Sequence, residues 1–356
     1  MRIAVLGAGN GGQAISAYLS LQGHCVSLYH YKQERVDNLL AREKKIKLIG
    51  AIEGEGELYC ISTDLAEVVQ DAEVVMITTT ANAHAGLAKQ LSSLLVDNQV
   101  LLLNPGRTCG ALEFLQILKN SGCKNDVYVA EAQTLVYACR IVEDGVVNII
   151  GVKDKVLVSS DTSQRTEYVL DKVKPLYPCF EAAENILRTS LENIGAIFHP
   201  CVLLFNAATI ERQTDFWFYR DMTPVIADFI ESFDRERLAV GKAYGIDLLS
   251  VREWISYAYP ETVGDTLCEK MVNNPAYYAI KSPSTIFTRQ LTEDIPTGVL
   301  PIVELGKVAG VDVSLMDSMI NICSALLQID FRKTGRTLEN LGLSNLTKEE
   351  ILEKFS

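Results

Sequence analysis

The histidines of this chain give the first indication of the chemistry it could perform. The sequence holds four of them, and His199 is the only one in its second half. Histidine exchanges protons near neutral pH, which makes His199 a candidate acid or base. Pro200 follows directly, and because proline suits the first turn of a helix, we expect His199 at a helix N-terminus. A histidine packed in the core is the alternative, and His84 is a second candidate for proton transfer.

A polar segment at 288–296, T-R-Q-L-T-E-D-I-P, offers partners for such a histidine. The planar guanidinium of Arg289 has the geometry to bind a substrate carboxylate through two hydrogen bonds. The carboxylate of Asp294 would hold the His199 ring in one orientation. The alternative is an ordinary polar loop in which the acidic residues only cap the following helix.

The N-terminal stretch Met1–Gln13, M-R-I-A-V-L-G-A-G-N-G-G-Q, contains the spacing G-x-G-x-x-G between a buried strand pattern and a helical pattern. In this context Gly7 allows a tight turn, Gly9 lets a pyrophosphate approach the backbone, and Gly12 lets the helix pack closely on the sheet. The helix N-terminus, which includes Asn10, then offers N–H groups to the phosphates. This arrangement predicts a dinucleotide-binding domain.

Further cofactor contacts are expected where the predicted strands end. Thr79 and Asn104 follow apolar runs at 73–78 and 99–103, and ligands bind beyond the carboxyl ends of parallel strands. The second strand, at 24–29, is not followed by the acidic residue that binds the ribose of NAD. His30, Lys32 and Arg35 stand there instead, which favours NADP slightly over NAD. The alternative is that all three are solvated and NAD is held by other contacts.

Composition excludes several classes of protein. The chain has 356 residues and a net charge of −12, which argues against a nucleic-acid partner. No apolar run reaches about 18 residues, so no transmembrane helix is expected. The nine cysteines are odd in number and form no C-x-x-C pair, so we expect no metal site, and reduced thiols in a cytoplasmic protein. A homodimer is one expectation for the assembly, which the sequence otherwise leaves open.

The patterning divides the chain into two parts. Residues 1–185 read as an α/β, Rossmann-type dinucleotide-binding domain, with additional strands expected at 46–52 and 57–62 around a turn at 54–56. Residues 186–356 read as a mostly α-helical (all-α) domain, because apolar residues recur with helical spacing at 225–244 and 300–326. Such a pair of domains is typical of a dehydrogenase with its substrate in the interdomain cleft.

Together these segments resemble the octopine/nopaline (opine) dehydrogenase family over nearly the whole chain. The matching segments are G-A-G-N-G-G at 7–12, N-P-G-R-T at 104–108, T-L-x-Y-A-C-R at 134–140, N-x5-H-P at 193–200 and R-x-L-T-E-D at 289–294. The segments at 193–200 and 289–294 are the most specific to that family. One departure is Val136, where the family commonly has proline before the tyrosine.

The resemblance implies a role for each matching residue. His199 would be the acid/base group, Asp294 its partner, and Arg289 the ligand of a keto-acid carboxylate, with Gln133 and Thr134 near the substrate. The implied reaction is the NAD(P)H-dependent reductive condensation of an amino acid or other amine with a 2-keto acid such as pyruvate, and its reverse. Two alternatives remain open: a 2-keto or hydroxy acid dehydrogenase without an amine partner, and a noncatalytic dinucleotide sensor.

Overall fold

Short apolar strands build the first part of the structure, a computed structural model that describes residues 1–355. Eight strands form one sheet in the order β12-β11-β8-β7-β6-β1-β2-β5, parallel throughout except between β8 and β11. The strands of the chain are β1 Arg2–Leu6, β2 Cys25–Tyr29, β3 Lys45–Gly50, β4 Gly54–Glu57, β5 Cys60–Ser62, β6 Val74–Ile77, β7 Val100–Leu103, β8 Tyr128–Ala132, β9 Tyr137–Glu143, β10 Val146–Val152, β11 Val156–Ser160 and β12 Phe180–Ala182.

The helices that accompany these strands lie in the first half of the chain. β1, β6 and β7 are almost entirely buried, as expected for parallel strands covered on both faces. The helices are α1 Asn10–Leu21, α2 Gln33–Leu40, α3 Leu65–Val69, α4 His84–Leu91, α5 Gly110–Asn120 and α6 Ser163–Val173. The expected Rossmann-type arrangement is therefore present.

Glycines set how closely helix α1 approaches the sheet. A Cβ on Gly12 would lie 1.6 Å from the Gly7 carbonyl oxygen, and Gly7 itself has a φ of +113°. Only glycine suits both positions, one for the close approach and one for the backbone turn. Gly9 differs, since a Cβ there would meet nothing within 4 Å and its φ is −80°.

A second, four-stranded sheet has the order β4-β3-β10-β9. The turn expected at 54–56 is wrong, because Gly54–Glu57 forms strand β4 and pairs with β3. The two glycines serve close packing: a Cβ on Gly54 would lie 2.8 Å from the Leu21 side chain, and one on Gly56 2.4 Å from the Ala17 carbonyl oxygen of helix α1. Turn-type residues therefore stand inside a strand.

The structure separates into two compact units, Met1–Ser190 with the C-terminal end from Lys354, and Leu191–Glu353. The sequence pattern predicts the division slightly earlier, between residues 185 and 186. Helix α7 Ile186–Leu191 contains the observed division. No helix of the described residues is long and apolar enough to cross a membrane.

The regular elements of the second unit are helices, with one isolated antiparallel bridge between Trp217 and Lys281. The helices are α8 Gly195–Phe205, α9 Ala207–Glu211, α10 Pro224–Ala243, α11 Val251–Ala258, α12 Leu267–Val272, α13 Arg289–Thr292, α14 Leu300–Val308, α15 Ser314–Leu327, α16 Phe331–Thr334 and, at its end, α17 Lys348–Lys354. A fully buried ion pair on α10 links this helix to the end of α7 and to the loop before α11, because Arg237 donates to Asp234 at 2.7 Å and to the carbonyl oxygens of Leu191 and Leu249. The expectation of a mostly helical second domain is confirmed.

The glycine contacts predict that two substitutions in the G-x-G-x-x-G segment differ in their effect on stability. Gly12→Ala should destabilise the protein by about 3 kcal/mol, because its methyl group collides with backbone that cannot move without opening the turn at Gly7. Gly9→Ala, the matched control, should unfold like the wild type. Thermal and urea unfolding followed by circular dichroism measure both, and equal stability of the two variants would contradict this account of the packing.

Candidate active site

His199 and Asp294 form the central pair of the helical unit. The Nδ1 atom of His199 lies 2.6 Å from Oδ2 of Asp294, whose side chain is only 2% exposed against 20% for the histidine. A ring that donates its Nδ1 hydrogen to a carboxylate keeps Nε2 for proton exchange with a ligand. The structure thus brings together two residues that lie 95 positions apart in sequence.

The expected location of His199 at a helix N-terminus is wrong. Helix α8 begins at Gly195, so His199 lies within it and Pro200 is an internal proline. Proline has no N–H to donate to the preceding turn, so it weakens the helix beside the histidine. The proline signal was read as a helix start, whereas the helix is maintained by the burial of its apolar residues on both sides of the proline.

Asp294 reaches His199 because the next turn of chain packs closely on α8. Residues Ile295–Val299 form a buried π-helical turn directly after Asp294. A Cβ on Gly298 would lie 2.6 Å from the Ala196 Cβ of α8, so the absence of a side chain there permits the approach. π-helical turns leave the regular bonding pattern and are common at functional sites.

Arg336, for which the sequence suggested no role, supports that turn through two of its carbonyl groups. It is fully buried, its backbone N–H donates to the Pro296 carbonyl at 2.9 Å, and its guanidinium donates to the Thr297 carbonyl at 3.4 Å. Gly335 precedes it, where a Cβ would lie 2.7 Å from the Pro296 carbonyl oxygen. No sequence signal indicated this role, because the surrounding residues R-K-T-G-R-T-L-E-N at 332–340 resemble an ordinary polar loop.

Arg289 is the first residue of the short helix α13. Thr288 caps the N-terminus of this helix, because its side-chain oxygen accepts from the Gln290 N–H. Its guanidinium lies 3.4 Å from the Glu293 carboxylate; the arginine side chain is 58% exposed and the glutamate 2%. One edge of the guanidinium is therefore oriented by a buried anion, while much of the group faces solvent and can meet a ligand.

Aromatic residues surround the histidine. The Phe218 ring lies edge-on to the His199 ring with centroids 6.1 Å apart, and both Phe218 and Tyr219 are buried. Tyr219 in turn stacks on Tyr277. The other candidate for proton transfer, His84, is fully buried at the start of α4 against Phe114 of the first unit. It lies in a packed core, which favours His199 as the acid/base group.

The residues expected to bind the dinucleotide meet at the carboxyl edge of the large sheet. Thr79 Oγ1 and both amide atoms of Asn104 are buried without a hydrogen-bond partner. Such groups are costly unless a ligand satisfies them, and Gly9 leaves open space at the N-terminus of α1. These features fit a bound dinucleotide. Asn10 begins α1, and its side-chain oxygen accepts from the Ile141 N–H at 2.8 Å.

The three basic residues after β2, which are His30, Lys32 and Arg35, differ in exposure and in their bonding partners. Arg35 forms an ion pair with Asp144, whose other oxygen accepts from Asn38. Burial lowers the pKa of His30, and its Nδ1 accepts the Lys32 N–H. Lys32 is exposed and lies 5.6 Å from the Tyr31 ring. Only Lys32 therefore presents a charge without a carboxylate partner.

The remaining candidate residues, Gln133 and Thr134, lie in the turn between β8 and β9. Gln133 Oε1 is buried without a partner, and Thr134 Oγ1 accepts from the Lys153 ammonium at 2.5 Å. Both follow β8 at the carboxyl edge of the large sheet, where ligands bind in open α/β folds.

Comparison with known proteins decides the family. The family model described as NAD/NADP octopine/nopaline dehydrogenase, alpha-helical domain, matches residues 182–327. Opine dehydrogenase of Arthrobacter sp. (strain 1C) is 36% identical over 349 residues, which are 98% of this chain and 97% of the relative. This chain belongs to the opine dehydrogenase family. It is thus an NAD(P)-dependent oxidoreductase that acts on CH–NH bonds.

Other similarities agree with this assignment. Residues 2–106 match the model of the NAD-dependent glycerol-3-phosphate dehydrogenase N-terminus. The fold is similar to octopine dehydrogenase in complex with NADH and L-arginine, with a TM-score of 0.83 and 21% identity over 99% of this chain and 98% of that one. Yersinopine dehydrogenase bound to NADP+ gives a TM-score of 0.70 at 13% identity, over 99% and 98% of the two chains. The expected two-part fold of an opine dehydrogenase is confirmed.

The His199–Asp294 contact predicts strongly non-additive kinetics. His199→Gln should lower kcat/KM by about 100- to 10,000-fold, the usual scale for a positioned proton donor. Asp294→Asn should lose much of the same factor, and the double variant should be little worse than the poorer single one, because the pair acts as a unit. Steady-state kinetics of all four proteins measure this. Losses that multiply would show that the two residues act independently.

Cofactor titration serves as the control for these variants. We expect unchanged dissociation constants for the dinucleotide, because the residues expected to bind it belong to the first unit. A variant that also loses cofactor binding would indicate damage beyond the pair.

Proposed function

We propose that this opine dehydrogenase joins the amino group of an amino acid to the carbonyl carbon of a 2-keto acid such as pyruvate, and reduces the resulting imine to a secondary-amine dicarboxylate. The observation that carries the proposal is the contact between His199 and Asp294, together with Arg289 in the segment that ends in Asp294. An acid/base group and a carboxylate ligand are the two protein parts that this reaction needs.

Arg289 binds the carboxylate of the keto acid. A guanidinium pairs with a carboxylate through two parallel hydrogen bonds, which fixes both the position and the plane of the substrate. Glu293 orients the guanidinium before the substrate arrives. The carbonyl carbon of the bound keto acid is then presented in one orientation to the amine and to the nicotinamide.

His199 handles the proton. Attack of the amine on the carbonyl carbon gives a carbinolamine, and its hydroxyl leaves as water once Nε2 of protonated His199 has donated a proton to it. Asp294 stabilises the imidazolium during this step. NAD(P)H, when bound, supplies the hydride that reduces the imine carbon. In the reverse direction neutral His199 accepts the proton of the water that attacks the imine.

A substrate panel tests the proposal. Pyruvate and other 2-keto acids are each combined with the common L-amino acids and with simple amines, and oxidation of NADH and NADPH is followed. We expect turnover that requires both carbonyl and amine, with a secondary-amine product identified by mass spectrometry. Reduction of a keto acid without any amine would instead establish a 2-hydroxy acid dehydrogenase, and no turnover with any pair would favour a dinucleotide sensor.

Arg289→Lys is the matched variant for this panel. It keeps the charge but loses the planar pair of donors, so the KM for the keto acid should rise about tenfold. The dissociation constant of the cofactor should stay the same. An unchanged keto-acid KM would remove Arg289 from the site.

For the cofactor we propose NADP(H) in preference to NAD(H), because β2 is followed by His30 and Lys32 where NAD-specific folds place an acidic residue. Since Arg35 is paired with Asp144, the exposed Lys32 is the cation that would meet a 2′-phosphate. Lys32→Gln should lower kcat/KM with NADPH about fivefold and leave the NADH value unchanged. A wild type that prefers NADH, or a variant that affects both cofactors equally, would refute this preference.

Cellular location and assembly complete the proposal. All nine cysteines are free thiols, the state that a reducing compartment maintains, and we place the protein in the cytoplasm. The homodimer expected from the sequence analysis stays a prediction, for which sedimentation of the purified protein is the measurement.

A further inference from the structure

Lys153 clamps the turn that carries Gln133 and Thr134. It lies between β10 and β11, and its ammonium donates to Thr134 Oγ1 at 2.5 Å and to the Leu135 carbonyl at 3.0 Å. Its backbone N–H donates to the Val136 carbonyl at 3.0 Å. One half-buried lysine therefore holds three successive residues of the turn.

The charge of Lys153 has no counterion among the described residues. Its two acceptors are neutral oxygens, and no carboxylate contributes to its electrostatic surroundings. Burial, and secondarily the positive charge of Arg107, lower the pKa of Lys153 to about 8. A half-buried ammonium beside another cation is unfavourable unless an anion joins it. An ammonium group has three N–H donors, and two of them are in use.

The surroundings of this ammonium are those of a ligand site. Gln133 and Thr134 follow β8 at the edge of the sheet where ligands bind. Gln133 Oε1 is a buried acceptor without a partner. The Leu135 side chain lies against Gly11 of the G-x-G-x-x-G segment. A Cβ on Gly11 would come within 2.9 Å of the leucine side chain. The turn is thus packed beside the cofactor-binding segment.

We propose that Lys153, with Thr134, binds the carboxylate of the amine substrate. The inference rests on the proposed function, whose product carries two carboxylates. Arg289 is assigned to the carboxylate of the keto acid, so the second carboxylate requires another cation. Lys153 is a cation that lacks an anion among the described residues, and it is bonded to Thr134 at the carboxyl edge of the sheet. Gln133 Oε1 would accept from the amino group of the same substrate.

Lys153→Met and Lys153→Arg test the role of the charge. With the L-amino acid of highest kcat/KM in the panel, the methionine variant should raise the amine KM about 10- to 100-fold, the scale of a lost charge-assisted hydrogen bond. The arginine variant should restore much of this loss. The KM for pyruvate should change less than twofold in both. Lys155→Met is the matched control, because Lys155 is a neighbouring lysine paired with Glu181.

The carboxamide of the same amino acid isolates the contact. It keeps the amino group and the side chain but carries no negative charge, so its KM should be similar in the wild type and in Lys153→Met. An amine KM that is unchanged by Lys153→Met overturns the proposal, and so does an equal loss for the amino acid and its carboxamide. Thermal unfolding verifies that each variant is folded.

Dependence on pH gives a second readout. The titratable groups that face Lys153 are Arg107, Cys139 and Cys179. Burial raises the pKa of Cys139 to about 11 and also raises that of Cys179, so both thiols stay neutral at pH 8, and Arg107 stays charged. Lys153 is protonated below its pKa of about 8 and loses its charge as the pH rises through it. The wild-type amine KM should therefore increase above pH 8 relative to that of Lys153→Arg, because titration of the substrate is common to both proteins.

Two measurements separate this inference from its alternatives. If Lys153→Met weakens binding of NADPH or NADH without substrate as much as it raises the amine KM, the anion is a cofactor phosphate and the proposal is wrong. If the wild type turns over no substrate pair, the proposed function fails first. Acetic anhydride labelling with mass spectrometry then decides the inference: panel amino acids should protect Lys153 but not Lys155, and absence of protection by all of them overturns it.

Discussion

The contact between the buried carboxylate of Asp294 and the ring of His199 constrains how the helical unit packs. Asp294 is 2% exposed, and a charge so far from water is tolerated only with a partner at close range. His199 is that partner, and their contact requires the chain after Asp294 to pack directly on helix α8. Gly298 permits this packing because any side chain there would meet Ala196. Arg336 then occupies carbonyl groups on the far side of the same turn.

A second buried carboxylate orders the first unit in a comparable way. Glu131 is fully buried at the end of β8 and accepts from the Ala111 N–H and from the hydroxyl groups of Thr189 and Ser190. Gly106 lies so close that a Cβ there would be 2.4 Å from that of Glu131. This one side chain therefore connects the first turn of α5 with Thr189 and Ser190 of α7.

The sequence predicted those features that depend on local spacing. The glycine loop, the buried strands and the helical second half follow from periodicity and from the special backbone of glycine. The partnership of His199 and Asp294 was expected from two motifs, because both residue types and the family resemblance pointed to it. Tertiary packing overrode local signals elsewhere: Gly54–Glu57 became a strand against α1, and Pro200 stayed inside a helix whose neighbours are buried.

Other parts of the site had no local signal at all. Lys153 was ordinary in the sequence, since what distinguishes it is the contact of its ammonium with two neutral oxygens, those of Thr134 and Leu135. Arg336 was equally inconspicuous, because what it binds is the backbone of a turn some forty residues earlier. Such contacts are made to backbone carbonyl groups. Every residue has one, so the sequence does not show which of them will be bound.

The position of Arg336 after both members of the His199–Asp294 pair has a consequence for how the enzyme folds during synthesis. Domains generally fold as the chain is synthesised, N-terminal parts first. His199 and Asp294 both leave the ribosome before Arg336, so the turn that carries the carboxylate lacks its support until residue 336 has been added. The cofactor-binding unit, by contrast, has almost all its residues well before that point. A nascent chain would therefore pass through a stage in which it can hold a dinucleotide but has no ordered acid/base pair to use it.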